Sequence, residues 1–231
     1  MKLSVVIPCY NESESLAELM SKIEELITDE IEFILVNNGS TDETLKVIRR
    51  LKLHKNIRII NIKNNIGYGN GIVTGLRESK GNIISWTHAD LQTSLKDVLK
   101  GYNHYKDELN NKTCIVKGER KKRNFFDSFF SFSMAIYCSI VLKKWFYDIN
   151  AQPKIFHRSF LRKFNNIPLD FSLDLYVLYF FQTTNLSVKS FPVYFNKRKY
   201  GNSKGGGTLF GKIKLIKRTL KYIHKLKKTI N

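Results

Sequence analysis

Four short polar strings interrupt the N-terminal half of the chain, each directly after an apolar run. They are Cys9-Tyr10-Asn11-Glu12, residues 37–42, residues 64–70 and His88-Ala89-Asp90-Leu91-Gln92. Between them they carry side chains that bind ligands by charge or hydrogen bond: Tyr10, Glu12, Asn38 and Asp42, then His88, Asp90 and Gln92. Gly67, Gly69 and Gly71 punctuate the third string, and a residue without a Cβ lets backbone approach a ligand closely or simply makes a pliant turn. Their spacing is not the G-x-G-x-x-G dinucleotide fingerprint. The second half offers Gly118-Glu119-Arg120, Asp148, and the basic string Arg198-Lys199-Tyr200-Gly201-Asn202-Ser203-Lys204, followed by three glycines.

These strings need elements to position them. Residues 3–8, 31–36, 57–62 and 82–87 are apolar runs of strand length, and residues 13–27, 40–51, 67–80 and 96–109 carry helical periodicity between them. Ser40 followed by Glu43 has the spacing of a capping box, which places a helix start at Ser40. Strands alternating with helices of this length predict βαβ units and a parallel sheet. In such a sheet ligands bind beyond the carboxyl ends of the strands, where the four polar strings fall. Further on, residues 114–118 and 188–195 predict strands, residues 125–147, 172–183 and 209–226 predict helices, and residues 148–156 a loop running into a strand.

A length of 231 residues with 42% hydrophobic and 26% charged residues suits one folded domain and excludes a disordered or collagen-like chain. Cys9, Cys114 and Cys138 are scattered and form no C-x-x-C, which argues against a disulfide scaffold or a thiolate zinc site and suits a reducing compartment. The first apolar run is too short for a signal peptide, and no apolar stretch reaches the length of a membrane span. Lys plus Arg number 39 against 20 acidic residues, a net charge of +19 that implies a polyanionic partner. No acidic residue follows Asp174, while 13 basic residues lie from Lys189 onward. The last helix places Ile213, Ile216, Leu220, Ile223 and Leu226 on one face and Lys214, Lys217, Arg218, Lys221 and Lys225 on the rest, the pattern of an interfacial helix on anionic lipid or of a core helix with a solvated face. Phe125, Phe126, Phe129, Phe130 and Phe132 offer a second apolar contact.

Taken in order, residues 4–12 (Ser-Val-Val-Ile-Pro-Cys-Tyr-Asn-Glu), residues 36–44 (Val-Asn-Asn-Gly-Ser-Thr-Asp-Glu-Thr), the glycine segment 67–81, His-Ala-Asp-Leu-Gln at 88–92, Gly118-Glu119-Arg120, Asp148 and the 198–204 string resemble family 2 glycosyltransferases over residues 3–204. Within that family the chain looks most like polyprenyl-phosphate (dolichol-phosphate) mannosyl- and glucosyltransferases. The resemblance implies a GT-A fold: a single Rossmann-like α/β domain with a mostly parallel central sheet, followed by the basic C-terminal helix. It divides the chain into residues 1–208, with a nucleotide-sugar half to residue 110 and an acceptor half after it, and residues 209–231. It implies an inverting hexosyl transfer from a nucleotide-sugar donor with a divalent metal, Mn2+ or Mg2+.

Tyr10, Glu12, Asn38 and Asp42 suit the base and ribose of the donor, with Pro8 among the substrate-binding residues, although Asn38, Ser40 and Asp42 also read as plain helix-capping residues. Gly69, His88, Ala89 and Gln92 line the sugar and diphosphate. The metal motif of the family is Asp-x-Asp, and here it is His88-Ala89-Asp90, with Asp90 the metal ligand and His88 a ligand, a phosphate contact or a neighbour. Asn37 and Asn38 stand where the family has two Asp. Arg120, Arg198, Ser203 and Lys204 are the phosphate-holding candidates, or part of a solvated basic loop. Asp148 acts as general base for a hydroxyl acceptor, orients Lys154 or Arg158 if the acceptor is a lipid phosphate, or only makes a turn.

The expected protein is thus a transferase peripheral to the cytoplasmic face of a membrane, using a polyprenyl-phosphate acceptor, an anionic lipid surface and a membrane-protein partner or second copy of the chain. Its rivals are a family 2 enzyme that glycosylates a glycan hydroxyl and a non-catalytic membrane-associated relative. Specific nucleic-acid binding rests on charge alone, without a helix-turn-helix, zinc-finger or RNP string.

Overall fold

The computed structural model describes residues 1–51, 53–122, 125–200 and 209–228. Its elements in chain order are β1 (Leu3–Cys9), α1 (Leu16–Glu24), β2 (Ile31–Asn38), α2 (Thr44–Arg50), β3 (Ile57–Ile62), α3 (Tyr68–Glu78), β4 (Ile83–Trp86), α4 (Lys96–His104), α5 (Lys106–Asn110), β5 (Cys114–Lys121), α6 (Phe125–Leu142), β6 (Lys154–His157), a 3-10 helix (Arg158–Lys163), α7 (Leu173–Thr183), β7 (Ser187–Tyr194) and α8 (Leu209–Lys228). The strands form one seven-stranded sheet in the order β3-β2-β1-β4-β6-β5-β7. β1, β2, β3 and β4 run parallel, as do β5 and β7, while β6 is antiparallel to both of its neighbours. The expected mostly parallel α/β sheet is therefore observed, and it runs through both halves of the chain.

Helices cover both faces, so the central strands are apolar on both sides. Alternation along β1 sends Val5 and Ile7 to the face covered by Leu16, Leu19 and Ile23 of α1 and Val98 of α4. Val6 points to the opposite face, where α3, α6, α7 and α8 pack around Trp86 and Phe156. Chain order reverses at β1, with β2 on one side and β4 on the other. That reversal opens a crevice at the carboxyl ends of β1 and β4, the usual ligand position in an open α/β sheet.

Three local readings change. No capping box forms at Ser40 and Glu43, and α2 starts only at Thr44. The Ser40 hydroxyl is spent on the backbone N–H of Asn11 (3.0 Å), and Asp42 accepts from the N–H of Thr44 (2.9 Å) instead. The helix expected at 96–109 is two helices broken at Tyr105, whose φ of −114° is not helical. The helix expected at 125–147 stops at Leu142, because Lys143 adopts a left-handed φ of 52°.

Candidate active site

Hydrogen bonds between short polar side chains staple the loops after β1 and β2. Asn11 Oδ1 accepts from the Thr41 N–H (2.8 Å), the Thr44 hydroxyl accepts from the Glu12 N–H (2.8 Å), and the Ser13 hydroxyl donates to Asp42 (2.8 Å). Burial acts to raise the Asp42 pKa, but the bonds from Thr44 and Ser13 outweigh it and leave the carboxyl below its ordinary value. Its carboxylate is therefore committed to the loop. Asn38 is buried and donates through Nδ2 to the Gly67 carbonyl (3.0 Å), which leaves its shielded Oδ1 without a donor. Pro8 and Tyr10 are half-buried at the end of β1.

The glycine segment packs against protein. A Cβ on Gly69 would lie 2.7 Å from the Pro168 carbonyl oxygen, so its bareness admits the backbone of residues 168–170 to the start of α3. Tyr68 beside it stacks on Phe171 at 4.8 Å and carries His88 on its ring at 5.8 Å. The imidazole just past the end of β4 is thus held against the Tyr68 ring, itself backed by Phe171. Ala89 is buried in the core, which anchors the turn between His88 and Asp90.

Asp90 sits at the crevice. Its Oδ1 accepts from the Gln92 N–H (3.1 Å), and its Oδ2 faces Arg198 Nη1 at 3.9 Å. The same guanidinium donates to Glu12 Oε1 at 2.6 Å. Residues 196–200 are pinned across the strand ends: Asn196 and Gln92 exchange two hydrogen bonds, 2.8 and 3.1 Å, while Lys199 and Tyr200 both hold Glu18. Burial pushes the Glu12 carboxyl up, opposed by Arg198. Three segments far apart in sequence, at 12, 90 and 198, thereby converge on the crevice between β1 and β4.

Arg120 stands elsewhere. Its backbone N–H and guanidinium both bond the carboxylate of Asp148, with Nε at 2.9 Å and Nη2 closer. Burial would raise the Asp148 pKa, but Arg120 outweighs it and holds the carboxyl below its usual range. Asp148 takes a left-handed φ of 42° to face Arg120. Lys154 and Arg158, expected beside it, have other partners: Lys154 Nζ donates to Asp174 at 2.5 Å, and Arg158 to the Ser79 carbonyl. The G-x-R glycine has a packing reason, since a Cβ on Gly118 would lie 2.2 Å from the Gln152 carbonyl oxygen. Ser203, Lys204 and the glycines after them lie outside the described residues.

The core beneath the crevice holds an ion pair that sequence reasoning missed. Lys154 and Asp174 form an ion pair with side chains 0% and 3% exposed. Gln152 Nε2 donates to Asp174 (2.8 Å) and to the Tyr68 hydroxyl (3.3 Å), linking that pair to the ring under His88. A lysine within a strand-like Pro-Lys-Ile-Phe string was the available signal, but nothing nearby in sequence marks Asp174 as its partner.

Among the described residues, no three His, Cys, Asp or Glu side chains come together to hold a metal ion. Asp90 and His88 fit an ion that takes its other ligands from phosphate and water, which is how Mg2+ is commonly held. An imidazole in the set favours Mn2+.

Residues 4–167 match the family described as Glycosyl transferase family 2. The chain belongs to that family. Over 217 residues it is 25% identical to the dolichyl-phosphate beta-glucosyltransferase of Dictyostelium discoideum, covering 83% of this chain and 65% of that protein. Over 102 residues it is 35% identical to an undecaprenyl-phosphate 4-deoxy-4-formamido-L-arabinose transferase of Enterobacter, covering 42% of this chain and 31% of the relative. The chain thus spans between about a third and two thirds of the length of these relatives. The glucosyl-3-phosphoglycerate synthase of Mycobacterium tuberculosis, solved with Mn2+, UDP-glucose and phosphoglyceric acid, shares the fold with a TM-score of 0.73 at 14% identity, over 95% of this chain and 77% of that one. The family and GT-A-like fold expected from the sequence are both observed.

Proposed function

We propose that this family 2 chain transfers a hexosyl group from a nucleotide-diphosphate sugar to a polyprenyl phosphate at a membrane surface. The observation that supports it is the meeting of Glu12, Asp90 and Arg198 at the topological reversal, with Gln92 tying down the Arg198 segment. A nucleotide sugar needs an acceptor for its ribose hydroxyls and counter-charge for its diphosphate at one crevice. Glu12 suits the first and Arg198 the second. In the ligand-free arrangement the two neutralise each other. Arriving diphosphate competes for the guanidinium and frees Glu12 to accept from a ribose hydroxyl. The unpartnered Asn38 Oδ1 suits a base N–H. Asp90 and His88 would hold a divalent cation, whose charge offsets that of the departing nucleoside diphosphate.

A phosphate oxygen of the acceptor attacks the anomeric carbon from the face opposite the diphosphate. A new C–O bond forms as the old one breaks, and the nucleoside diphosphate leaves with the electron pair. The nucleophile is already anionic and needs no base. This agrees with Asp148, whose carboxylate is occupied by Arg120 and is a poor proton acceptor for a hydroxyl. Asp148 then aims Arg120, which holds the acceptor phosphate.

The membrane reading rests on α6 and α8. Phe129, Phe132, Ile136 and Ile140 recur at helical spacing and are all exposed. Lys217, Arg218, Lys221 and Lys225 are exposed on α8, which is joined to α6 by a Tyr137–His224 hydrogen bond of 3.0 Å. An apolar stripe beside a basic helix suits an anionic bilayer, where each basic residue near the surface contributes about 1 kcal/mol. Among the described residues no helix is long and apolar enough to cross a membrane. The side chains of Phe125, Phe126, Lys212 and Lys214 lie outside the described residues.

The deciding experiment supplies labelled UDP-glucose, UDP-N-acetylglucosamine or GDP-mannose with Mn2+ to the protein on vesicles containing a polyprenyl phosphate, and follows label into the lipid phase. Metal-dependent label in lipid that disappears with Asp90→Ala is expected. Label appearing only on an added glycan would replace the acceptor, and donor binding without transfer to any acceptor would support a non-catalytic relative.

A further inference from the structure

A cleft of about 520 Å³ opens away from the β1–β4 crevice, between α7, β7 and residues 144–147. Lys117 lies at its base, and Trp145, Tyr147 and Gln182 line it. Nothing in the proposed transfer uses these side chains.

The chemistry of the lining is specific. Lys117 is 4% exposed, and its ammonium donates to the carbonyls of Gly118 (3.0 Å) and Asp148 (3.3 Å). An ammonium has three protons, so one remains for the cleft, where the Tyr147 ring centre lies 5.9 Å away. Gln182 donates through Nε2 to the Trp145 carbonyl, which fixes the orientation of the amide. Its Oε1 is shielded from solvent and has no donor. The indole of Trp145 is 70% exposed although it adjoins a concave surface. The cleft therefore presents a spare donor, an orphan acceptor and two aromatic rings.

We infer that this cleft is a glycosyl-binding subsite that takes a neutral, hydroxyl-bearing sugar ring, separate from the site of the donor sugar. A hydroxyl both donates and accepts, so vicinal hydroxyls answer Lys117 and Gln182 together. The C–H-lined face of a sugar ring packs on an aromatic ring, with weak polarised C–H contacts to it. Lys144 also lines the cleft, so a bare phosphate is the rival ligand, although it would set its oxygens against the lone pairs of Gln182. Aromatic walls mixed with convergent polar groups suit a hydroxyl-rich ligand better than a purely apolar one. Tyr147 is followed directly by Asp148, whose backbone carbonyl accepts from Lys117 and whose carboxylate holds Arg120. The cleft is thereby linked to Arg120 through Lys117 and Asp148, a connection suited to a glycan already attached to an acceptor or product.

The test uses the two tryptophans of the chain. Trp86 is fully buried and Trp145 exposed, so emission changes on ligand binding report the cleft. Methyl glucoside, methyl mannoside, N-acetylglucosamine and maltotriose are titrated into the full chain, with inorganic phosphate in a separate arm. Neither nucleotide nor metal is added, so the outcome does not depend on the proposed transfer reaction. At least one sugar should give a saturable blue shift that Trp145→Phe abolishes. Tyr147→Ala and Gln182→Leu should each weaken it at least about tenfold. Both side chains lie at the surface of a preformed cleft, and the near-ultraviolet signal of Trp86 checks that the variants stay folded. No saturation up to about 100 mM of any sugar would overturn the inference. So would a shift produced by phosphate alone, or sugar binding indifferent to Tyr147→Ala and Gln182→Leu.

Discussion

The two ends of the sheet are organised by different physics. Around β1, β2 and the start of α3, loops are fastened by neutral or singly charged short side chains: Asn11 to Thr41, Glu12 N–H to Thr44, Asn38 to Gly67. Around β5 and β6 the same task falls to buried ion pairs, Arg120 with Asp148 and Lys154 with Asp174, and to the buried ammonium of Lys117. Short hydrogen-bonding side chains hold a loop at little desolvation cost. Buried ions hold it only while both partners are present, because either one alone is a bare charge out of water. The difference teaches that the proposed nucleotide end is a stapled cradle, whereas the proposed acceptor end is a set of mutually dependent charges. Arg198 belongs to the second kind, and it is the charge that crosses into the cradle.

The comparison breaks first at Asp90, if it breaks. Asp90→Ala should lower transfer by about two to three orders of magnitude while the protein stays folded, as loss of one charge-stabilising group does in other enzymes. Turnover near the wild-type rate, measured with the same donor and vesicles, would remove Asp90 from the chemistry.

Next in size is the buried pair. Lys154→Met or Asp174→Asn alone should cost about 3–5 kcal/mol in urea denaturation, the usual cost of stranding one buried charge. The double replacement Lys154→Met with Asp174→Leu should recover most of that loss. If each single change costs under about 1 kcal/mol, the acceptor end does not depend on its ions in the way described.

Arg198→Ala tests the crossing charge. It should weaken donor binding by about tenfold to a hundredfold, the worth of a charged hydrogen bond, and should do so more for the nucleoside diphosphate than for the nucleoside in calorimetric titration. Equal loss for both would move Arg198 from the diphosphate to a structural role.

Lys117 supplies a pH signature. Burial first, and then the neighbouring charge of Lys154, lowers its pKa from 10.5 to about 8. In the unfolded chain the amine keeps its proton to about pH 10.5, and in the folded protein it releases it near 8. Between these values the unfolded state binds more protons, so this residue makes stability rise with pH across that window and adds nothing to the slope below it. Lys117→Met should flatten the slope between pH 8 and 10, and an unchanged slope would mean the ammonium is better solvated than its surroundings imply.

The smallest effect expected is at the membrane face. Ile140→Ser should weaken vesicle binding in flotation by about fivefold, since partial burial of one aliphatic side chain contributes about 1 kcal/mol. Full retention would place the bilayer contact on α8 alone.

Legibility followed the same division. The polar strings at the strand ends were readable because each is contiguous in sequence, so Tyr10, Glu12, Asn38 and Asp42 could be named from their neighbours, and His88 and Asp90 from the family resemblance. Even there, the Ser40–Glu43 spacing suggested a cap that tertiary contacts overrode, because Asn11, 29 residues away, claimed the hydroxyl. At the acceptor end Arg120 and Asp148 were each named, but their mutual bond was not, and Lys154 was assigned to Asp148 when its partner is Asp174. Tyr68 passed as one residue in a glycine-rich turn, although its ring carries His88.

By itself the sequence determined the alternation of strands and helices, the parallel sheet, the family, and the set of polar residues at the strand ends. The family follows from the likeness of the motifs to known ones, and the rest from local periodicity and from side chains adjacent in the chain. Only the tertiary structure decided which charges meet: Arg198 with Glu12 and Asp90, Arg120 with Asp148, Lys154 with Asp174, and Lys117 beneath an aromatic cleft. Burial is periodic and leaves its mark on a sequence. Ion pairing between distant segments is chosen by the packing of whole elements, and a basic residue in the one-dimensional string carries no sign of the carboxylate it will face.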